Sequence, residues 1–428
     1  MKGNAMNPLN LTPKTLEKII MDWDKMRPIS YDKWADPYTR CRVILMNGTE
    51  FEANWFTHQF SRNCNNNDIR RVLAFMRRSE QQQQKLVGLM KPVDETILEH
   101  TIGYEQVAVD LTAHLAKTEP DPYVKKALDF ALLEDFDHLY RYSNFLDMET
   151  GVHAEQLVGG YTEIMPARPT VSHYRHPLDT VRYSINNNTA SPITKLHVGI
   201  ITAAEQQTMN YYMNVCTNYP NERGRFLYQE IGMVEEDHVT HYGSLLDPCA
   251  TWLENLVMHQ YTEAYLYYSA YCTETDCNIK ELWEMLFEQE VTHLHVACDL
   301  LRHIENKEPC QVLGGDGTFP EILRLESNIP YVRNVLQNSI QMTTNMENYQ
   351  CVNTLPDNAN FFRYQMALNH DLNSIESHMI IEDYIAQHGM DYRFETAPNP
   401  IELLRDRKTD NTTLGRVKGV SNACNLDI

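Results

Sequence analysis

The two most informative stretches of the chain are LLEDFDHLYRY at residues 132–142 and GMVEEDHVTHY at residues 232–242. In each stretch a carboxylate is followed three residues later by a histidine, and the histidine is followed four residues later by a tyrosine. Side chains three residues apart lie on one face of an α-helix, so each carboxylate and histidine can bind the same metal ion. A glutamate also stands 30 residues before each carboxylate. The sequence therefore predicts two helical hairpins that each supply half of a two-metal site.

Six residues of this repeat are the candidate metal ligands. They are Glu105, Asp135 and His138 in the first copy, and Glu205, Glu235 and His238 in the second copy. A third copy has a slightly shorter step and provides an alternative set of ligands, namely Glu263, Glu290 and His293. An N-terminal copy keeps the 30-residue step from Glu50 to Glu80 but has Gln83 in place of the histidine. We interpret this copy as degenerate, with its metal chemistry lost.

The candidate ligands lie among apolar residues along their helices. Helical spacing places Leu128, Leu132 and Leu139 on the same face as Asp135 and His138. Each unpaired buried ion is costly, and four such carboxylates would rival the stability of a whole domain, which is about 5–15 kcal/mol. No lysine or arginine occurs on these faces. Two divalent cations would neutralise the carboxylates, while histidine supplies a neutral nitrogen ligand.

The composition is that of an acidic globular protein. With 428 residues, of which 43% are hydrophobic and 22% charged, the chain can bury a large core. Its formal net charge of −21 argues against nucleic acid or an anionic membrane as a partner. No run of 18 apolar residues occurs, and the first residues lack the apolar segment of a secretory signal. The 10 cysteines are scattered and form no CxxC pair, so we expect a reduced, cytoplasmic location.

Helical periodicity, interrupted by proline-marked breaks, predicts a chain of long helices. Their expected ranges are 39–62, 67–90, 94–117, 122–147, 192–218, 221–246, 249–273, 278–306, 330–351 and 358–388. Most breaks are short, so consecutive helices should be antiparallel neighbours. The connection 148–191 is longer and contains Gly159-Gly160 and several prolines, which indicates an ordered crossover.

The two complete copies resemble the ferritin-like di-iron carboxylate superfamily, which includes rubrerythrins, bacterioferritins and ubiquinone-biosynthesis hydroxylases. The shared pattern is Glu, Glu-x-x-His, Glu, Glu-x-x-His over four antiparallel helices, with a crossover between the second and third helices. The match covers about 94–247 and places 148–191 at the crossover. Asp135 departs from the pattern, because the family has the longer glutamate there. The resemblance implies an all-α fold with a ferritin-like four-helix bundle, extended by additional helical hairpins at both ends.

The expected organisation follows from these assignments. It comprises an N-terminal arm at 1–38, a degenerate hairpin at 39–91, the four-helix bundle at 94–247, a third hairpin at 248–306, a C-terminal helical pair at 307–404 and a polar tail at 405–428. An alternative bundle would pair 192–246 with 249–306 through the short link Asp247-Pro248. The identical 30-residue step and the crossover favour the first pairing.

The resemblance also implies a function. The cofactor would be two iron ions, or iron and manganese, in an oxidoreductase of oxygenase, oxidase or peroxidase type. The implied roles are terminal ligands for Glu105 and Glu205, bridging ligands for Asp135 and Glu235, and one ion each for His138 and His238, with no catalytic residue beyond the ligands. Expected partners are dioxygen or peroxide, an unknown small-molecule substrate and a separate electron donor; a homo-oligomer is compatible with this function. A metal-storage protein and a metal-free helical scaffold are the alternatives.

Overall fold

Long α-helices joined by short turns account for most of the protein. The structure is a computed structural model and describes residues 6–167, 175–369, 371, 374–388, 391–394, 397 and 399–404. The α-helices of this part are α1 Leu16–Ile19, α2 Pro37–Asn63, α3 Asn67–Gly88, α4 Ile97–Thr118, α5 Pro122–Thr150, α6 Glu155–Val158, α7 Pro192–Asn218, α8 Glu222–Gly243, α9 Trp252–Thr273, α10 Cys277–Glu305, α11 Pro309–Leu313, α12 Ile329–Ser339, α13 Asn360–Leu368 and α14 Glu376–His388. The predicted all-α class is confirmed. None of these helices has the apolar length that a membrane span requires.

The residues at the predicted breaks begin the helices that follow. Pro122 occupies the first turn of α5, where a missing backbone N–H removes no helical hydrogen bond. Asp121, just before it, accepts hydrogen bonds from the first free backbone N–H groups of the helix. Helices α4 and α9 begin with capping boxes at Thr96 and Thr251. These local signals explain why the helix starts could be predicted to within a few residues.

Four helical hairpins form the body of the protein: α2–α3, α4–α5, α7–α8 and α9–α10. Hairpins α4–α5 and α7–α8 contact each other through α4 with α7 and α5 with α8, and we call these four helices the central set. Hairpins α2–α3 and α9–α10 contact each other through α2 with α9 and α3 with α10, and we call them the flanking set. The two sets meet mainly where α2 contacts α7 and α4. The hairpins that precede and follow the central set in sequence therefore lie side by side.

Helix α5 passes through the interior of the protein. Every residue from Phe130 to Leu146 is buried. A helix can be covered on all sides only if several elements surround it, and α5 contacts α4, α8, α12 and α14. Polar residues on this helix are consequently buried as well, including Asp137 and Arg141, which form an ion pair within one helical turn. The candidate ligands on α5 thus lie far from bulk water.

The connection between α5 and α7 is long, and its described part is partly buried. Helix α5 ends at Thr150 and is capped by Gly151, which adopts φ +72°, a left-handed conformation that glycine accommodates readily. Within the described part of this connection, α6 packs against α4, and Met165 and Ala167 are buried. Arg175 is buried too, which matters for the site described below.

The predicted helices of the C-terminal region are wrong in their extent. The expected helix 330–351 ends at Ser339, and the residues after it form the antiparallel strands β1 Met342–Asn345 and β2 Asn348–Cys351. Thr343 and Thr344 are buried in β1, and β-branched residues favour strands. The expected helix 358–388 is divided into α13 and α14. The predicted polar tail, 405–428, lies outside the described residues.

Candidate metal centre

The six candidate ligands of the two complete copies lie on the four helices of the central set. Helix α4 carries Glu105, α5 carries Asp135 and His138, α7 carries Glu205, and α8 carries Glu235 and His238. Each of the six is at most 1% exposed. Residues from two separate hairpins therefore meet in the interior, and we call them the central cluster.

The ligand atoms of the central cluster form two overlapping groups. The first group consists of Glu105, Asp135, His138 and Glu235, and the second consists of Asp135, Glu205, Glu235 and His238. Within each group, one ligand atom from every residue lies within 4.8 Å of the others. Asp135 and Glu235 belong to both groups, so two ions held here would share these two carboxylates. The other members would each serve one ion.

Both histidines face carboxylates across the interface between the hairpins. His138 Nδ1 on α5 lies 3.0 Å from Glu235 Oε1 on α8. His238 Nδ1 on α8 lies 3.1 Å from Asp135 Oδ1 on α5 and 3.7 Å from Glu205 Oε2 on α7. The Nδ1 atom of each ring therefore points into the cluster, where it is placed to act as a ligand.

A glutamate and an arginine outside the predicted ligand set hold the outer side of His238. His238 Nε2 lies 2.8 Å from Glu134 Oε2, and Glu134 forms a buried ion pair with Arg175. The Arg175 guanidinium also lies 5.1 Å from the centre of the Phe130 ring. A carboxylate on the second nitrogen of a histidine ligand determines its tautomer and its orientation. Arg175 could not be predicted from the faces of the ligand helices, because it lies in the connection between α5 and α7.

Buried tyrosines surround the other side of the central cluster. Tyr212 donates a hydrogen bond to Glu105 Oε1 at 2.5 Å. Its ring lies 5.4 Å from that of Tyr142, which follows His138 by four residues. The hydroxyls of Tyr142 and Tyr242 have no hydrogen-bond partner among the described residues. Tyr212 is thus a hydroxyl that positions a candidate ligand, and it lies outside the repeat, which contains Tyr142 and Tyr242.

Burial and mutual repulsion govern ionisation in the central cluster. Burial raises the pKa of Glu105 and of Glu205 well above the usual range of a carboxyl, and neighbouring carboxylates raise it further. Burial also raises the pKa of Asp135, although His238 opposes the shift. At Glu235 burial acts in the same direction, but hydrogen bonds from the two histidines outweigh it and lower the pKa to about 2. In the absence of a cation, the negative charge of the cluster therefore lies mainly on the Glu235 carboxylate, which contacts both histidines.

The residues present fit a pair of divalent cations. Glu105 Oε2, both oxygens of Asp135 and both oxygens of Glu205 have no hydrogen-bond donor among the described residues. Unsatisfied buried carboxylate oxygens are costly, and cations relieve that cost by direct ligation. A mixed set of carboxylate oxygens and imidazole nitrogens suits iron or manganese, and it also accepts zinc.

The alternative ligands Glu263, Glu290 and His293 do not join the central cluster. Helices α9 and α10 place them in the flanking set, where Glu290 accepts a hydrogen bond from Gln83 at 2.6 Å. His293 Nε2 lies 2.6 Å from Ser79 Oγ on α3. The alternative bundle across Asp247-Pro248 is therefore not the pairing that the structure forms. The third hairpin pairs instead with the N-terminal hairpin.

Comparisons with known protein families, with curated proteins and with solved structures give no match to this chain. Information on function therefore comes from the chemistry of the buried residues. Their donor types, overlap and burial define a candidate two-metal centre made of carboxylates and histidines.

Proposed function

We propose that the chain is a di-metal carboxylate protein, in which α4, α5, α7 and α8 form a four-helix bundle of the ferritin-like type. The observation that carries the proposal is the overlap of the two ligand groups at Asp135 and Glu235. Two carboxylates that belong to both groups are what a pair of bridged ions requires. A collection of unrelated buried polar residues would not be expected to divide into two sets with equal numbers of each donor type.

Each ion would have one histidine, one terminal glutamate and the two shared carboxylates. Glu105 and His138 would complete one ion, and Glu205 and His238 would complete the other. The four carboxylates carry four negative charges when ionised, which two divalent cations balance. This neutrality removes the energetic cost of burying the carboxylates unpaired.

We further propose an oxidoreductase that uses two iron ions, or iron and manganese, with dioxygen or peroxide as a reactant. When bound, such a metal pair supplies redox chemistry and open coordination positions for an oxygen species. The protein contributes a buried site, an oriented His238 held by Glu134, and a Glu105 held by Tyr212. A separate electron donor and an unknown small-molecule substrate complete the proposed reaction.

The space next to the cluster favours a small reactant. A cavity between α2, α4 and α7 borders Glu205 and is lined mainly by apolar groups, among them Ile44, Val107 and Ala204. It is large enough for about one water molecule. Dioxygen or peroxide is of that order of size.

Elemental analysis of protein purified without chelators tests the proposal. We expect about two iron or manganese ions per chain to be bound at the central cluster. The double variant His138→Ala, His238→Ala should lose these ions. His241→Ala is the matched control, because His241 is equally buried on α8 but hydrogen-bonds Tyr349 and belongs to neither ligand group. The iron-loaded protein should then consume dioxygen or peroxide.

Two other outcomes would identify the alternatives. A large hollow assembly that takes up many more ions than the ligands can hold would indicate metal storage. Protein that binds neither ferrous iron nor manganese at the central cluster, and whose melting is the same with and without these ions, would indicate a metal-free scaffold.

A further inference from the structure

A second cluster of buried polar side chains lies in the flanking set, outside the proposed two-metal centre. All four helices contribute: Glu50 on α2, Glu80 and Gln83 on α3, Glu263 on α9, and Glu290 and His293 on α10. Each of the six is at most 1% exposed. We call these residues the flanking cluster. Its four carboxylates are as deeply buried as those of the central cluster.

The flanking cluster repeats the plan of the central cluster with one change of donor. Two hairpins meet in each set, and the second helix of each hairpin carries a carboxylate with a polar partner three residues later. On α10 this pair is Glu290 and His293, which matches Glu235 and His238 on α8. On α3 the partner is Gln83, at the position that His138 occupies on α5. An imidazole nitrogen is therefore present on one side of the flanking cluster and missing on the other.

Hydrogen bonds connect the members of the flanking cluster across the hairpins. His293 Nδ1 lies 3.0 Å from Glu290 Oε1, which also accepts a hydrogen bond from the Gln83 amide. Gln260 Nε2, on α9, donates to Glu80 Oε1 at 3.1 Å and to Glu263 Oε2 at 2.8 Å. Residues from the N-terminal and third hairpins thus form one contiguous polar group.

Several oxygens of this group have no donor. One oxygen of every carboxylate lacks a hydrogen-bond partner among the described residues: Glu50 Oε2, Glu80 Oε2, Glu263 Oε1 and Glu290 Oε2. The amide oxygens of Gln83 and Gln260 are likewise unpartnered there. All six oxygens are potential cation ligands in the interior of the protein. A buried group with so many acceptors and so few donors requires a positive partner or bound protons.

Lysine and arginine side chains of the described residues do not supply that partner. Within the described part of the chain, the only ion pair made by these four carboxylates joins Glu290 to His293. Protons bound to the carboxylates would neutralise such a cluster. A divalent cation would neutralise it by direct ligation, with the carboxylates ionised.

We propose that the flanking cluster is a second metal site, which holds one divalent cation on Glu80, Glu263, Glu290 and His293. These four residues correspond to Asp135, Glu205, Glu235 and His238 in the central set, which form one of its two ligand groups. Three carboxylates and one imidazole suit manganese or ferrous iron. The assignment follows the plan of the central cluster but uses none of its residues, so the two sites can be tested separately.

The site holds one ion because of Gln83. On the Glu50 side, the position of the second histidine is occupied by an amide, whose nitrogen donates to Glu290 and cannot bind a cation. Tyr267 donates a hydrogen bond to Glu50 Oε1 at 2.7 Å, as Tyr212 does to Glu105 in the central cluster, so this contact does not distinguish the two sites. Gln83 therefore makes the difference, because it stands where a second ion would need its histidine.

Binding requires a local movement of Gln260. Among the described residues, the groups whose ligand atoms all lie within 4.8 Å of one another are those of the central cluster. In the flanking cluster the Gln260 amide nitrogen bridges Glu80 and Glu263. Rotation of this side chain would free both carboxylates and turn the unpartnered amide oxygen towards the cation.

Manganese titration of the chelator-treated full-length chain tests the proposal, with bound Mn²⁺ counted by elemental analysis after gel filtration. We expect about three Mn²⁺ per chain, two as a spin-coupled pair and one isolated in electron paramagnetic resonance spectra. Glu290→Gln with His293→Ala should remove the isolated ion and leave the pair. His138→Ala with His238→Ala should remove the pair and leave the isolated ion. Gln83→His should add an ion beside the isolated one.

The outcomes separate the two proposals. If Glu290→Gln with His293→Ala binds as much Mn²⁺ as the parent chain, the second site is overturned while the central one stands. If only the isolated ion binds, and the His138 and His238 variant retains it, the proposed function fails while the second site stands. Should the Glu290 and His293 variant fail to fold, Glu263→Gln replaces it. At least tenfold weaker binding of the isolated ion in Glu263→Gln supports the site, and unchanged binding overturns it.

Discussion

Glu134 and His238 approach each other to 2.8 Å on the side of the imidazole ring that faces away from the central cluster. The contact joins α5 to α8, and both side chains are fully buried. A ring held in this way keeps its Nδ1 directed at Asp135 without rotational freedom. Glu134, adjacent to a candidate ligand in sequence, thus acts through His238 on the site.

Glu134→Gln should weaken metal binding at the central cluster without abolishing it. Loss of a partner on the outer nitrogen of a ligating histidine typically costs about 10–100-fold in affinity. We expect competition with a fluorescent chelator to show that loss, with the number of ions at saturation unchanged. Asp137→Asn is the control, because Asp137 is an equally buried carboxylate on α5 that pairs with Arg141. Equal losses in both variants would contradict a specific role for Glu134.

Tyr212→Phe should destabilise the metal-free protein more than Tyr142→Phe. The Tyr212 hydroxyl donates to the buried Glu105, whereas the Tyr142 hydroxyl has no hydrogen-bond partner among the described residues. Loss of a donor to a buried acceptor costs about 1–3 kcal/mol, so the free energy of unfolding in urea should fall by that amount in Tyr212→Phe. Both rings are fully buried, which matches the variants in packing. A larger effect of Tyr142→Phe would argue against the assigned role.

Metal removal should lower the stability of the chain in a concentration-dependent way. An ion that binds only the folded protein stabilises it by about 2.7 kcal/mol per site when its free concentration is about 100 times the Kd. We expect thermal unfolding of the chelator-treated protein to shift upwards as Mn²⁺ is added. The shift should be smaller in the His138→Ala, His238→Ala variant. A shift of equal size in that variant would place the stabilising ions elsewhere.

Asp110 should make the metal-free protein less stable as the pH rises from about 4 to about 7. Burial raises the pKa of Asp110 to about 7, although hydrogen bonds from Thr162 and Tyr38 oppose the shift. In the unfolded chain the pKa of an aspartate is about 3.9. The folded state therefore binds this proton more tightly than the unfolded chain does. The contribution of Asp110 to the free energy of unfolding is fully present below pH of about 4 and is lost as the pH rises through about 7.

Asp110→Asn removes this titration. We expect the variant to unfold with nearly the same free energy as the parent at pH of about 4, and to be more stable by a few kcal/mol at pH of about 8, since each pKa unit corresponds to about 1.4 kcal/mol. Tyr38→Phe, which removes a hydrogen bond to the carboxylate, should lose more stability at the higher pH. Parallel pH profiles for Asp110→Asn and the parent chain would refute the assignment. Chelator is present throughout, so that bound metal does not contribute.

Features that depend on local spacing could be predicted from the amino-acid chain. The starts of α5 and α9 follow from Asp121-Pro122 and Thr251, which cap the helices with their own side chains. The pairing of Asp135 with His138 on one helical face follows from the three-residue spacing. Such signals operate within one turn of helix, so no distant contact is needed to interpret them.

The extent of the C-terminal helices depended on distant contacts. Strand β2 carries Tyr349, whose ring lies 5.1 Å from that of Phe130 and whose hydroxyl lies 3.2 Å from His241 Nε2. These partners belong to α5 and α8, more than a hundred residues earlier in the chain. A short segment with mixed preferences adopts the conformation that its tertiary surroundings stabilise, which periodicity does not show.

The amino-acid sequence was sufficient to identify the eight long helices of the four hairpins, the repeat and the six residues of the central cluster, because each depends on spacing along one or two adjacent helices. The tertiary structure decided which hairpins meet. Glu263, Glu290 and His293 have the same local pattern as the central residues, yet they lie with the N-terminal hairpin. The tertiary structure also places Arg175, from the connection between α5 and α7, next to Glu134. The physical reason is that hairpin pairing depends on which buried surfaces cover one another across long separations, and spacing within a helix carries no information about that choice.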